Sequence, residues 1–122
     1  MTYTSDDWRA AITSLLKKTS KKEISWDISD IFSSDVWNVV DRSYACKIGD
    51  RTYTVSSTRR KHFIDDEEYV WESGYDFSIY ERRYQEYVRI ASAPENLNVV
   101  ESLFNSVEAS FAFDQGALRD LL

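Results

Sequence analysis

The chain has 122 residues, is 43% apolar, 30% charged and 15% aromatic, and carries a net charge of −6. That aromatic content argues against a disordered chain, because disorder is poor in aromatic and β-branched residues. No apolar run reaches the ~18 residues of a membrane-crossing helix, and the length suits one domain, 1–122, around a single core.

Charge is distributed unevenly. Residues 1–62 hold 11 basic and 8 acidic side chains (+3), and residues 63–122 hold 4 and 13 (−9). An acidic chain is a poor ligand for nucleic acid, whose phosphates demand clustered Lys and Arg. A protein partner is expected instead. Cys46 is the sole cysteine, so neither an intrachain disulfide nor a cysteine zinc cluster can form. The start, Met1–Asp7, lacks the basic and apolar segments of a secretory leader. A cytoplasmic protein is expected.

A first helix opens at Ser5, expected as its cap, with Asp6 and Asp7 at the positive end of the helix dipole. Trp8, Ala11, Ile12, Leu15 and Leu16 form one apolar stripe. Lys17 and Lys18 close the helix, and Lys21 and Lys22 extend a solvated basic corner. Ile24, Trp26 and Ile28 alternate as a short strand entering the sheet or running along its edge. After a polar stretch, Val36, Trp37, Val39 and Val40 lead into a long strand, with a bulge or a bend expected at Asp41-Arg42-Ser43.

Two alternating runs meet at Gly49-Asp50. Glycine at the first central position suits a type II′ turn, whose twist matches the strands it joins. The fold-back sets Ile48 opposite Arg51, Cys46 opposite Tyr53 and Tyr44 opposite Val55, with Cys46 turned into the core. Thr58–Glu68 then places a basic block before an acidic one. Either the two arms face each other across a hairpin, or Asp65 or Asp66 caps a short helix through Tyr69-Val70-Trp71, and Glu67–Glu72 stays open between strand and helix. In a second hairpin, folding about Arg82-Arg83 sets Tyr75 opposite Ile90, Phe77 opposite Val88 and Asp76 opposite Arg89, with a turn of four or more residues.

Pro94 suits the first turn of a closing helix. Its stripe is Leu97, Val100, Leu103, Phe104, Val107 and Phe111. Asp114 would cap a short terminal helix that turns Leu118, Leu121 and Leu122 inward. The sum is an α+β fold: an N-terminal helix, an antiparallel meander of four to five strands, and a C-terminal helix with a short terminal one. Both helices lie on one face, in two layers. The other face, with Ala45, Lys47, Thr52, Thr54, Asp76, Ser78, Tyr80, Gln85, Tyr87 and Arg89, is expected in water.

An N-terminal helix running into Lys22-Glu-Ile-Ser-Trp26, a meander, and a helix such as Leu97–Val107 resembles the layout of small bacterial and prophage-encoded helix–meander–helix proteins. The resemblance spans much of the chain as layout. It carries over no activity and no functional residue.

No constellation of catalytic residues stands out. His62 is the sole histidine, so Ser-His-Asp or Cys-His chemistry would have to pass through it. Counting alone rules out a three-histidine zinc site and a two-histidine iron site. Asp65-Asp66-Glu67-Glu68 lacks calcium-loop spacing. Gly49, Gly74 and Gly116 form no phosphate-cradling loop, and no cofactor or metal is expected. The residues suited to binding are Arg59, Arg60, Lys61, His62, Asp65 and Asp66 in the charged crossing. Tyr80, Arg82, Arg83 and Tyr87 join them from the second hairpin, since Arg and Tyr favour protein interfaces. These point to a non-enzymatic protein-interaction module of inhibitor or immunity type, bacterial or phage in origin. The alternative is a small-ligand or nucleotide-binding domain using a sheet–helix pocket. A homodimer through a sheet edge or the C-terminal tail is a further expectation.

Overall fold

The computed structural model describes residues 1–95 and 97–122. Helix α1 (Ser5–Ser20) leads into strands β1 (Asp27–Ile28), β2 (Asn38–Ile48), β3 (Arg51–Phe63), β4 (Tyr69–Arg83) and β5 (Glu86–Ser92), and helix α2 (Asn98–Asp114) follows. The five strands form one antiparallel sheet in sequential order. This is the α+β meander flanked by two helices that the apolar patterns imply.

Thr4, rather than Ser5, caps α1. Its hydroxyl accepts from the Asp7 N–H, and the Asp7 carboxylate accepts from the Thr4 N–H, a reciprocal capping box. The buried stripe is Trp8, Ile12, Leu15 and Thr19, and Ala11 faces solvent. Thr19 belongs to the core because its hydroxyl is satisfied twice: it donates to the Leu15 carbonyl at 2.8 Å and accepts the Trp26 indole N–H at 2.9 Å. That bond ties the end of α1 to the residue that precedes β1.

The Gly49-Asp50 hairpin keeps the expected register, with Ile48–Arg51, Cys46–Tyr53 and Tyr44–Val55 opposite each other. Gly49 has φ +65, the conformation that a II′ turn asks of its first central residue. Of the bulge or bend expected here, the strand has a bulge, between Val40 and Arg42. It turns Arg42 over the Phe104 ring and onto Glu108 at 2.7 Å, and Glu108 also accepts the Tyr44 hydroxyl.

The second hairpin differs from its sequence reading. Arg82 faces Tyr87, Glu81 faces Val88 and Tyr80 faces Arg89, so Arg89 does not oppose Asp76. The turn is the two-residue Tyr84-Gln85, with φ of 51 and 70. Both central residues at positive φ define the I′ geometry, here without the usual Gly or Asn. The slip is an even number of residues, so each residue before the bulge keeps its face. A bulge at Ile90 then shifts the pairing to Ile79–Ala91.

The core lies between the sheet and both helices. Tyr44, Cys46, Val55 and Phe77 meet Trp8, Ile12, Leu15, Val100, Leu103, Phe104 and Val107. Helix α2 begins at Asn98, four residues after Pro94, and its first turn has no side-chain cap. Beyond Asp114 the chain forms linked turns rather than a helix, and Leu118, Leu121 and Leu122 are exposed. No helix among the described residues is long and apolar enough to cross a membrane.

The helix-free face also departs from expectation. Its middle is buried: Thr54, Ser56 and Ser78 are fully covered, and Ser43, Thr52 and Tyr80 nearly so. Short side chains sit close to the backbone and are shielded by longer neighbours. They are satisfied locally, by Ser43–Ser56 at 2.7 Å, Thr54 Oγ1 to the Ser78 carbonyl, and Ser78 Oγ to Asp76 at 2.6 Å.

Candidate functional site

The residues suggested by sequence fall at opposite ends of the sheet. The Tyr84-Gln85 turn and the Gly49-Asp50 turn share one end, and the β3–β4 tip Ile64–Glu68 is at the other. Along β4, Tyr69 and Arg83 are about 45 Å apart at ~3.3 Å per residue. The two groups therefore form separate surfaces.

The second-hairpin surface is small. Tyr80 is 6% exposed and belongs to the buried polar row. Arg83 pairs with Glu81 at 2.8 Å, Arg51 shares that carboxylate, and both arginines hold Glu81 below the usual carboxylate range. Arg82 lies over the Tyr87 ring. Tyr84 is fully exposed, and its signal in the sequence was only its place in an Arg/Tyr-rich run.

The β3–β4 end is built differently. β2 accompanies β3 only as far as Asn38–Arg60, and β5 accompanies β4 only from Arg83 to Ser78, with Ala93 donating to the Phe77 carbonyl. Past Arg60 the two strands continue as a ribbon, pairing Lys61 with Trp71, His62 with Val70 and Phe63 with Tyr69. The basic block therefore faces an aromatic segment, and the acidic block forms the tip. Residues Tyr69–Glu72, open in the sequence reading, are strand. Asp65 caps the tip by accepting from the Glu67 and Glu68 N–H groups, both at 2.8 Å, and these bonds lower its pKa.

The cations of this arm are mostly engaged within the chain. Arg59 meets Asp41 at 2.8 Å and lies over Trp71. Arg60 meets Glu72 at 3.4 Å and Glu95 at 3.8 Å, and His62 Nδ1 lies 3.3 Å from Glu72. Lys61 stacks over Tyr69 and Trp71. What the arm offers outward is apolar: Phe63, Ile64, Tyr69, Val70 and Trp71 are between 43% and 65% exposed. At the base of the arm, Trp37 is 76% exposed. Neither Trp71 nor Phe63 was among the residues suggested by sequence, because each reads equally well as core.

Cys46 and His62 do not meet. Cys46 faces Tyr53, and His62 lies nine positions further along β3, roughly 30 Å away. Burial pushes the Cys46 thiol up to about 12, so it stays protonated and unreactive. Asp76 is raised by burial, opposed by the Ser78 hydrogen bond and the Arg89 charge. Between β4 and the start of α2, a cleft lined by Gly74, Tyr75, Leu97 and Val100 holds about 160 Å³. Ligand pockets run to ~300–1,000 Å³. Among the described residues no group of three or more His, Cys, Asp or Glu is placed to hold a metal ion.

No protein-family model, curated protein or solved structure matches this chain.

Proposed function

We propose that this chain is a non-enzymatic protein-interaction module of the inhibitor or immunity type, bacterial or phage in origin, and that the β3–β4 arm is its contact element. One observation carries the reading. The arm exposes a run of large apolar side chains while its cations are engaged by Asp41, Glu72, Glu95 and aromatic rings. Exposed apolar clusters of this kind mark protein contacts. The charge pairing argues against nucleic acid, since most of the basic ladder is already neutralised, and the tip is acidic. The cleft between the sheet and α2 is too small for a nucleotide, while the groove of about 390 Å³ beside Arg42 and Tyr44 keeps the small-ligand reading as the alternative.

The test is site-specific photocrosslinking in the cell that makes the protein. A benzoylphenylalanine at Phe63 or Tyr69 is expected to capture a protein. The same group at Tyr3 or Phe113, exposed positions outside the arm, is expected to capture none. Capture at the control positions alone, or nowhere, contradicts the reading.

A further inference from the structure

The outer side of the sheet beyond β4 is made of two stretches, β5 itself and the part of β4 that β5 does not reach, and they are protected unequally. The β5 edge carries Glu86 and Arg89 and is interrupted by the bulge at Ile90. Charges and bulges are the usual devices that keep a sheet edge from pairing. The β4 edge before Tyr75 carries a single charge, Glu72, which Arg60 and His62 of the neighbouring strand engage, and it has neither bulge nor lysine. Among the described residues no strand pairs with its outer side from Tyr69 to Ser73, and Tyr69, Val70 and Trp71 are exposed along it. From Gly74 onward, Pro94 and Leu97 lie close by and bound the free stretch.

We propose that this edge is occupied by a second copy of the chain. Residues Tyr69–Ser73 of the two copies pair antiparallel, with Trp71 opposite Trp71 across a two-fold axis perpendicular to the sheet. Such an axis keeps both helical layers on one side. It pairs only residues that share a face, so each register is centred on a single residue. Centring on Val70 sets Glu68 against Glu72 twice. Centring on Glu72 sets two carboxylates against each other on the axis. Like charges directly opposite destabilise a strand pair. Centring on Trp71 opposes Tyr69 to Ser73 and Val70 to Glu72, and no acid meets an acid. The acidic residues thus select the register that stacks the two indoles. A two-fold pairing of like edges also closes, whereas a head-to-tail contact leaves an edge open for further addition.

This proposal deepens the reading of the arm as a contact element by naming its partner, and it can fail while that reading stands. The experiment uses the purified full chain with Trp71→Cys, Val70→Cys or Glu72→Cys and oxidised glutathione. Residues directly opposite on antiparallel strands have Cα atoms about 4.5–5.5 Å apart, within the ~4.4–6.8 Å range of disulfides. Trp71→Cys is expected to form a covalent dimer at least about tenfold faster than the other two, through the effective concentration of its paired thiols. The wild-type chain supplies the background, since Cys46 is buried. Circular dichroism checks that each variant is folded. Equal rates, a faster Val70→Cys or Glu72→Cys, or no covalent dimer overturns the proposal. So does a wild-type chain that light scattering finds monomeric at its highest soluble concentration. A foreign protein captured by the arm in cells, with no covalent dimer from Trp71→Cys, leaves the contact role intact and removes the second copy.

Discussion

The part of the sheet under the helices and the part beyond them are made of similar residues used in opposite ways. Under the helices, Tyr44, Val55 and Phe77 each meet a ring or branched chain from α1, α2 or a neighbouring strand, and Phe77 is 1% exposed. Beyond them, Phe63, Tyr69 and Trp71 alternate on β3 and β4 just as regularly, yet they pack against each other and the cations beside them and stay about half exposed. Alternation specifies strand; it does not specify that anything covers the apolar face. The difference is one of topology. α2 packs over the middle of β3 and β4, and the strands outrun it.

That contrast can be broken by mutation. The largest expected effect is in the covered half: Phe77→Ala should cost about 3–5 kcal/mol, read by urea denaturation, because it opens a cavity under Trp8 and Tyr53. Thr19→Val should cost about 1–3 kcal/mol in the same assay, since it leaves the buried Trp26 indole N–H without an acceptor. Replacing Tyr84-Gln85 by Asn-Gly should stabilise by up to about 1 kcal/mol, because those residues adopt positive φ more readily. In the arm, Trp71→Ala in dilute protein should change stability by no more than about 0.5 kcal/mol, the range of exposed substitutions. A loss as large as that of Phe77→Ala would mean the arm is part of the core.

Asp76 sharpens the comparison from a third side, as a half-buried carboxylate on the helix-free face. Its folded pKa is raised, so the folded state holds the proton more tightly than the unfolded state does. Stability from this group is therefore greatest below the unfolded pKa and falls as pH rises through the folded one. Asp76→Asn should raise the melting temperature at neutral pH, and the gain should vanish as pH falls below about 3.9, the unfolded value. A gain that persists in acid would place the effect elsewhere.

Much of this was legible in the residues. Gly49-Asp50 announced the first turn, and glycine's tolerance of positive φ fixed the register of the pairs from Ile48–Arg51 to Arg42–Ser57, up to the bulge. The second hairpin was misread because Tyr84-Gln85 carries no such mark, and Asp76 and Arg89 offered an attractive but incorrect charge pair. The faces survived the error because the slip was even. The arm was harder. Its basic and acidic blocks suggested facing charges, whereas the acids at 65–68 form the turn and, of the bases, Lys61 faces Trp71 and only Arg60 faces an acid, Glu72. Trp71 could not be told from a core residue until the reach of α2 was known. The terminal leucines were expected inward from their pattern, but the linked turns around Gly116 carry them away from the core.

Hydrogen exchange at two protein concentrations tests most directly whether the β4 edge is a contact surface. The amides of Tyr69–Ser73 should exchange more slowly in concentrated than in dilute protein, while those of Glu86–Ser92 in β5, further along the same side of the sheet, stay unchanged. Concentration-independent exchange at Tyr69–Ser73, or protection that appears instead at Glu86–Ser92 or Leu118–Leu122, would contradict the account.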